Sequence, residues 1–153
     1  MAILFLDTSA AVKRYIRETG TSWLINQIRP ATTDAFVANV TGIETISAIV
    51  RRRRGGSLTA ADADKALRRF RRDFASRYID VELTALVIQL AMQLAEKHNL
   101  RGYDAAQLAV AVSINHRLLA KGVSGLTFVC ADAELLNSAQ AEGLLVENPN
   151  LHP

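Results

Sequence analysis

A short apolar run that breaks abruptly into polar residues constrains this chain most: Ile3-Leu4-Phe5-Leu6, then Asp7-Thr8-Ser9. Consecutive apolar residues leave a strand without a polar face, so it must be covered on both sides, as in a parallel sheet flanked by helices. Asp, Thr and Ser favour helix starts, so the chain is predicted to pass directly from strand to helix at Asp7. In open α/β sheets, ligands gather at the carboxyl ends of the strands. Asp7 is therefore expected on the edge where such a fold does chemistry.

The same pattern recurs downstream. Helical spacing runs from Ala10 to Ile16 with Gly20 beyond it as a stop, and a second helix is predicted over Ser22–Ile28, with Trp23, Leu24 and Ile28 inward. Ala35–Ala38 reads as a strand. Thr41-Gly42-Ile43-Glu44 opens a helix that ends at Gly55-Gly56, and Ser57-Leu58-Thr59 caps an arginine-rich helix to about Phe74. Tyr78–Leu83 alternates like a strand, and Thr84 starts a helix with Leu86, Val87, Leu90, Ala91 and Leu94 inward. Asp104 heads a helix that is apolar from Ala105 to Val112 apart from Gln107, which places it centrally. Leu126–Cys130 is a second buried strand, followed by Asp132 and a helix through Leu135, Leu136 and Ala139; Leu144–Val146 is the last strand. Strands alternating with helices predict an α/β fold, a parallel sheet covered on both faces. With no internal repeat and no interdomain linker, residues 1–153 are expected to form a single domain, with a helical arginine-rich hairpin at about 42–75.

Composition narrows the chemistry. A single cysteine, Cys130, excludes an internal disulfide framework and suits a reducing compartment. The first apolar run has no basic residue ahead of it and breaks at Asp7, so a signal peptide is not expected; nor is a membrane helix, and the expected location is the cytoplasm. The net charge of +3 is uneven: Arg51 to Arg77 holds ten basic residues against three acids, so +7 lies there and −4 on the remainder. A basic segment joined to an acidic remainder points to a polyanionic partner meeting a cation-binding site, or to two solvated helix faces.

Four acids fall at predicted element boundaries: Asp7, Glu44, Asp104 and Asp132. Singly, each has a structural explanation, since Asp is a favoured N-cap and Glu44 stands at capping-box spacing from Thr41. Together, at strand ends and helix starts along one sheet edge, they can converge, and close like charges are costly without a cation. Hard oxygen donors favour Mg²⁺ or Mn²⁺ over Zn²⁺. His98, His116 and His152 lack metal-ligand spacing, and no phosphate-cradling glycine loop or nucleophile elbow is present. Metal-assisted hydrolysis of a phosphodiester is the chemistry that remains.

The ordered set Leu6-Asp7-Thr8-Ser9, Glu44 after Thr41, Arg54-Gly55 ahead of Leu58-Thr59, Leu100-Arg101-Gly102-Tyr103-Asp104-Ala105 and Ala131-Asp132 before Leu135-Leu136 resembles PIN-domain ribonucleases, in particular VapC toxins of toxin–antitoxin pairs. Gly143-Leu144 and Asn148-Pro149 fit the usual ending, so the resemblance runs over essentially the whole chain. It implies a PIN-like three-layer α/β/α sandwich with a central parallel sheet of four to five strands. It also implies an endoribonuclease whose acidic quartet, Asp7, Glu44, Asp104 and Asp132, holds Mg²⁺ or Mn²⁺ and activates water against RNA. Thr8 and Ser9 would support the acids. The implied partners are an RNA substrate, a VapB-like antitoxin and a second copy in a homodimer. Arg51, Arg52, Arg53 and Arg54 would grip RNA phosphates or face the antitoxin, and Arg101 and Tyr103 would contact a phosphate and a base, although Tyr103 also suits packing on the central helix. Family members often carry Ser or Thr where this chain has Cys130. Glu134 is a candidate assistant to Asp132, its alternative being the solvent side of the helix. An inactive PIN-like module that only binds RNA or protein is the alternative function. A haloacid-dehalogenase-type phosphotransferase is disfavoured because Ser9 stands where its second aspartate belongs.

Overall fold

Both faces of the first strand are buried, and the chain is wound around it. A computed structural model describes residues 1–153. β1 (Ala2–Leu6) lies at the centre of a five-stranded, all-parallel sheet with β2 (Thr33–Ala38), β3 (Ile79–Val81), β4 (Thr127–Val129) and β5 (Leu145–Glu147), in the order β3-β2-β1-β4-β5. Side chains alternate across a strand, so β1 feeds two cores. Ile3 and Phe5 pack with Phe128 against α5 (Ala85–His98), α6 (Gly102–Ala120) and α7 (Ala133–Ala141). Leu4 and Leu6 pack against α1 (Thr8–Ala11), α2 (Thr21–Ile28) and α4 (Ala60–Ser76). A third cluster, including Ile49, Ala63 and Leu67, joins α3 (Val40–Arg54) to α4. Phe5 and Phe128 stack at 5.5 Å from neighbouring strands, and burial of each ring contributes roughly 2 kcal/mol. The result is the three-layer α/β/α sandwich.

Strand order reverses at β1. The chain winds outward through β2 and β3, then returns to β4 on the other side. The crevice between the ends of β1 and β4 is thus the topological switch point, where this fold class binds ligands.

Several elements differ from the sequence pattern. α1 is a single turn and tightens into a 3-10 turn, Val12–Arg14, well before Gly20. Gly20 does not stop that helix but opens α2, at φ +84°, and a β-carbon there would lie 2.3 Å from the Pro149 carbonyl oxygen, so a side chain does not fit. Trp23 is half-buried and stacks on His152 at 4.5 Å instead of entering the core. Leu86 is 78% exposed, because Thr84 caps α5 and the inward face begins at Val87. β3 has three residues because it is an edge strand with β2 as its sole partner. No helix is long and apolar enough to cross a membrane.

Candidate active site

The switch point collects the predicted acids, and most arrive with one oxygen already committed. Asp7 leaves β1 as the N-cap of α1; its Oδ1 accepts from Ser9 Oγ at 2.7 Å and from the Ala10 amide at 3.0 Å. Its Oδ2 meets only the Cys130 thiol, at 3.3 Å. Asp132 caps α7 through Oδ1, which accepts from the Glu134 and Leu135 amides, and no hydrogen bond takes its other oxygen. Glu44, in the second turn of α3, accepts at Oε1 from Thr8 Oγ1 at 2.9 Å and from Gln107 Nε2 at 2.8 Å. Its Oε2 is left over. Asp104 lies in the first turn of α6, for which Arg101 is the N-cap, and neither of its oxygens is hydrogen-bonded.

The capping-box explanation of Glu44 fails on this geometry. α3 begins at Val40, behind Asn39, which makes no side-chain cap. Thr41 pairs with Gln107 instead, and Glu44 turns to Thr8 and Gln107. Asp104 is likewise not a cap. Asp7 and Asp132 do cap helices, each with one oxygen, so capping and another role coexist in the same carboxylate.

Burial and mutual repulsion raise the pKa of two of the acids. Asp7 is 5% exposed, and burial pushes its pKa up to about 6 against the opposing hydrogen bonds from Ser9, Ala10 and Cys130. No basic side chain pairs with it. Asp104 is raised by desolvation and by the charges of Asp132 and Glu44, with Arg101 opposing. The side chains do not form a finished cage: no three acidic, histidine or cysteine groups meet at ligand spacing. The donor set itself fits a hard divalent ion, being carboxylate oxygens without histidine.

Thr8 and Ser9 divide their labour. Ser9 orients Asp7 and accepts from the Ala131 amide at 2.9 Å, tying the ends of β1 and β4 together, whereas Thr8 orients Glu44. Cys130 Sγ donates to Asp7 and accepts from the Asp132 amide at 3.3 Å, so the thiol bridges two of the acids. Burial and the Asp7 charge push its pKa up, which keeps it a neutral donor. Gln107 was not among the predicted site residues. Its amide, 2% exposed, reaches Thr8, Thr41 and Glu44, and its signal in the sequence is a lone amide in an apolar helix, three residues after Asp104.

The remaining candidates sit outside this cluster. Arg51–Arg54 form the last turn of α3, about 10–15 Å along the helix from Glu44. Arg52 pairs with Glu18 and Arg53 with Asp64. Arg101 is exposed beside Asp104, and Tyr103 is 55% exposed rather than packed on α6. Glu134 is exposed.

The chain is 35% identical over 153 residues, the full length of both partners, to ribonuclease VapC45 and to ribonuclease VapC49 of Mycobacterium tuberculosis strains. The chain belongs to the VapC family of ribonucleases. Its fold is shared with M. tuberculosis VapC20, a sarcin-ricin-loop-cleaving toxin, at TM-score 0.64 and 17% identity, covering 99% of this chain and 100% of that one. It is shared too with VapBC2 of Rickettsia felis bound to a DNA fragment from their promoter, at TM-score 0.62 and 14% identity, covering 95% and 98%. No family model matches the sequence.

Proposed function

We propose that this protein is an endoribonuclease that hydrolyses RNA phosphodiesters at the β1–β4 switch point, using Asp7, Glu44, Asp104 and Asp132 with Mg²⁺ or Mn²⁺. The observation that carries the reading is the division of oxygens: Asp7, Glu44 and Asp132 are each aimed by hydrogen bonds to one oxygen, with the other facing no basic group. Such a set concentrates negative charge, which a bound cation would relieve. When bound, the metal supplies a polarised water and stabilises the departing oxygen. The protein's own part is positioning: Ser9 and the Ala10 amide hold Asp7, Thr8 and Gln107 hold Glu44, and the α7 amides hold Asp132. Asp104 remains free to accept a hydrogen bond from the attacking water or to share the cation. Arg101 and Tyr103, exposed beside it, suit a phosphate and a base of the bound strand.

The inactive-module alternative needs Cys130 to break the site, and the thiol's contacts with Asp7 and the Asp132 amide favour an intact one. A VapB-like antitoxin is the expected inhibitor, since the Rickettsia neighbour is a VapBC pair. The whole chain acts as one catalytic domain, with a homodimer the expected assembly. Incubating purified protein with total RNA tests the reading. Cleavage with Mg²⁺ or Mn²⁺, lost with chelator and in Asp104→Ala, is expected; cleavage indifferent to both would overturn the site.

A further inference from the structure

A second concave site lies where the 3-10 turn, α2 and α4 meet. Arg14, Tyr15 and Arg17 from the turn region, Thr21 and Ser22 from α2, and Arg69 from α4 line a cavity of about 360 Å³. Its charge is poorly balanced. Arg14 Nε donates to Asp73 Oδ2 at 2.7 Å, which takes none of the terminal guanidinium nitrogens. Asp73 is 5% exposed, also accepts from Tyr15, and lies within 3.7 Å of Arg72, so its one charge is shared. Arg17 and Arg69 have no carboxylate within ion-pair reach, and neighbouring Glu18 is already taken by Lys13 and Arg52.

Three guanidiniums around one cavity, with a single buried carboxylate beneath, suit an oxyanion. Guanidinium nitrogens pair with phosphate in a two-pronged geometry. Ser22, whose hydroxyl has no partner in the fold, adds a further donor at the rim. Few apolar groups line the cavity, chiefly Tyr15 and Ile25, so it lacks the anchors a peptide partner would seek. Arg14 follows Asp7 through α1 and the 3-10 turn, so one continuous helical stretch joins the cavity to the acids.

We infer that this cavity is a phosphate subsite for the RNA strand, gripping a backbone phosphate away from the scissile bond while the acids act on the bond itself. The inference rests on the ribonuclease reading above. It also gives the basic character of α4 a specific locus instead of a diffuse attraction.

The test is fluorescence anisotropy of a fluorescein-labelled single-stranded RNA of about 12 nucleotides, within the usual range for strand-binding sites, titrated with full-length Asp104→Ala protein across a salt series. Adding Arg17→Ala and Arg69→Ala is expected to weaken binding roughly tenfold at 0.1 M salt and to flatten the log–log salt slope by about 1.4, two contacts' worth. Removing the same charge through Arg68→Ala and Arg71→Ala, both exposed on α4 and outside the cavity, is expected to change the slope by less than half as much. The pair Arg17→Lys with Arg69→Lys should recover the slope, which a misfolded protein would not. Equal losses from the two alanine pairs, or no loss from the first, would overturn the subsite. Unchanged RNA binding with lost binding of a glutamate-rich peptide would overturn it in favour of a protein partner. Absence of RNA binding and cleavage by the parent protein would remove the ribonuclease reading itself.

Discussion

At the scale of single residues, Asp7 shows what the site does to the fold. Its ordinary pKa of 3.8 rises to about 6 because burial disfavours the carboxylate more than Ser9, Ala10 and Cys130 support it. Well below pH 4 the group is protonated in both folded and unfolded chains, and nothing is lost. Between about pH 4 and 6 the unfolded carboxyl ionises while the folded one stays protonated, so above 6 the metal-free fold has lost about 3 kcal/mol. Asp7→Asn is therefore expected to stabilise the metal-free protein by about 1–3 kcal/mol at pH 7, with the gain vanishing by about pH 3. Urea melts in chelator at the two pH values measure it, and a variant destabilised at pH 7 would contradict the burial argument. Cys130 yields a companion prediction. A serine hydroxyl is a stronger donor to Asp7 than the thiol at 3.3 Å, so Cys130→Ser should keep activity and lower the acidic limb of the kcat/KM pH profile. An unmoved limb would mean that this bond does not tune Asp7.

At the scale of elements, α6 is the keystone between the site and one core. It carries Asp104 in its first turn and Gln107 at the next, while Leu108 to Val112 fill the core behind them. Gln107→Leu would leave that packing intact but strip a donor from Glu44 and a partner from Thr41. A loss of about 10–100-fold in both Mn²⁺ affinity and cleavage is expected, the usual size for a residue that orients a metal ligand. Calorimetric Mn²⁺ titration checks the first and needs no turnover; unchanged affinity would reduce Gln107 to core packing. This residue also marks where the sequence stopped being legible. Alternating apolar runs made the parallel sheet and its helices readable, because burial on both faces leaves no other pattern. The acids stood out only as an ordered set at strand ends and helix starts, since each alone is an ordinary residue for a helix start. Gln107 carries no charge and sits inside an apolar stretch, so its role depends on Thr41 and Glu44 arriving from α3, a tertiary fact. The extent of α1, the outward turn of Leu86 and the half-burial of Trp23 depend equally on neighbours distant in sequence.

At the scale of the whole molecule, the chain divides its charge: the acidic edge gathers around the β1–β4 crevice, and the basic surplus lies on α3 and α4. Neither half is at its best alone. The crevice acids repel one another and Arg68, Arg69 and Arg71 form no ion pair, although Arg52, Arg53 and Arg72 do, so on the proposed reading a cation relieves one side and RNA the other. The metal side is separable, because it needs no RNA. A cation that binds only the folded chain stabilises it by about 2.7 kcal/mol at one hundred times its dissociation constant. For a domain of this size that corresponds to a rise of roughly 5–10 °C in Tm. Thermal melts with Mn²⁺ against chelator should show that rise in the wild type and little of it in Asp7→Asn or Asp132→Asn. Asp7→Asn should begin from the higher metal-free Tm, so the two curves converge when metal is added and separate when it is withdrawn. A full rise in both variants would place the ion elsewhere on the acidic surface and leave the switch-point carboxylates without their proposed task. Convergence of the curves would tie the instability of the metal-free edge to the ion it is proposed to hold.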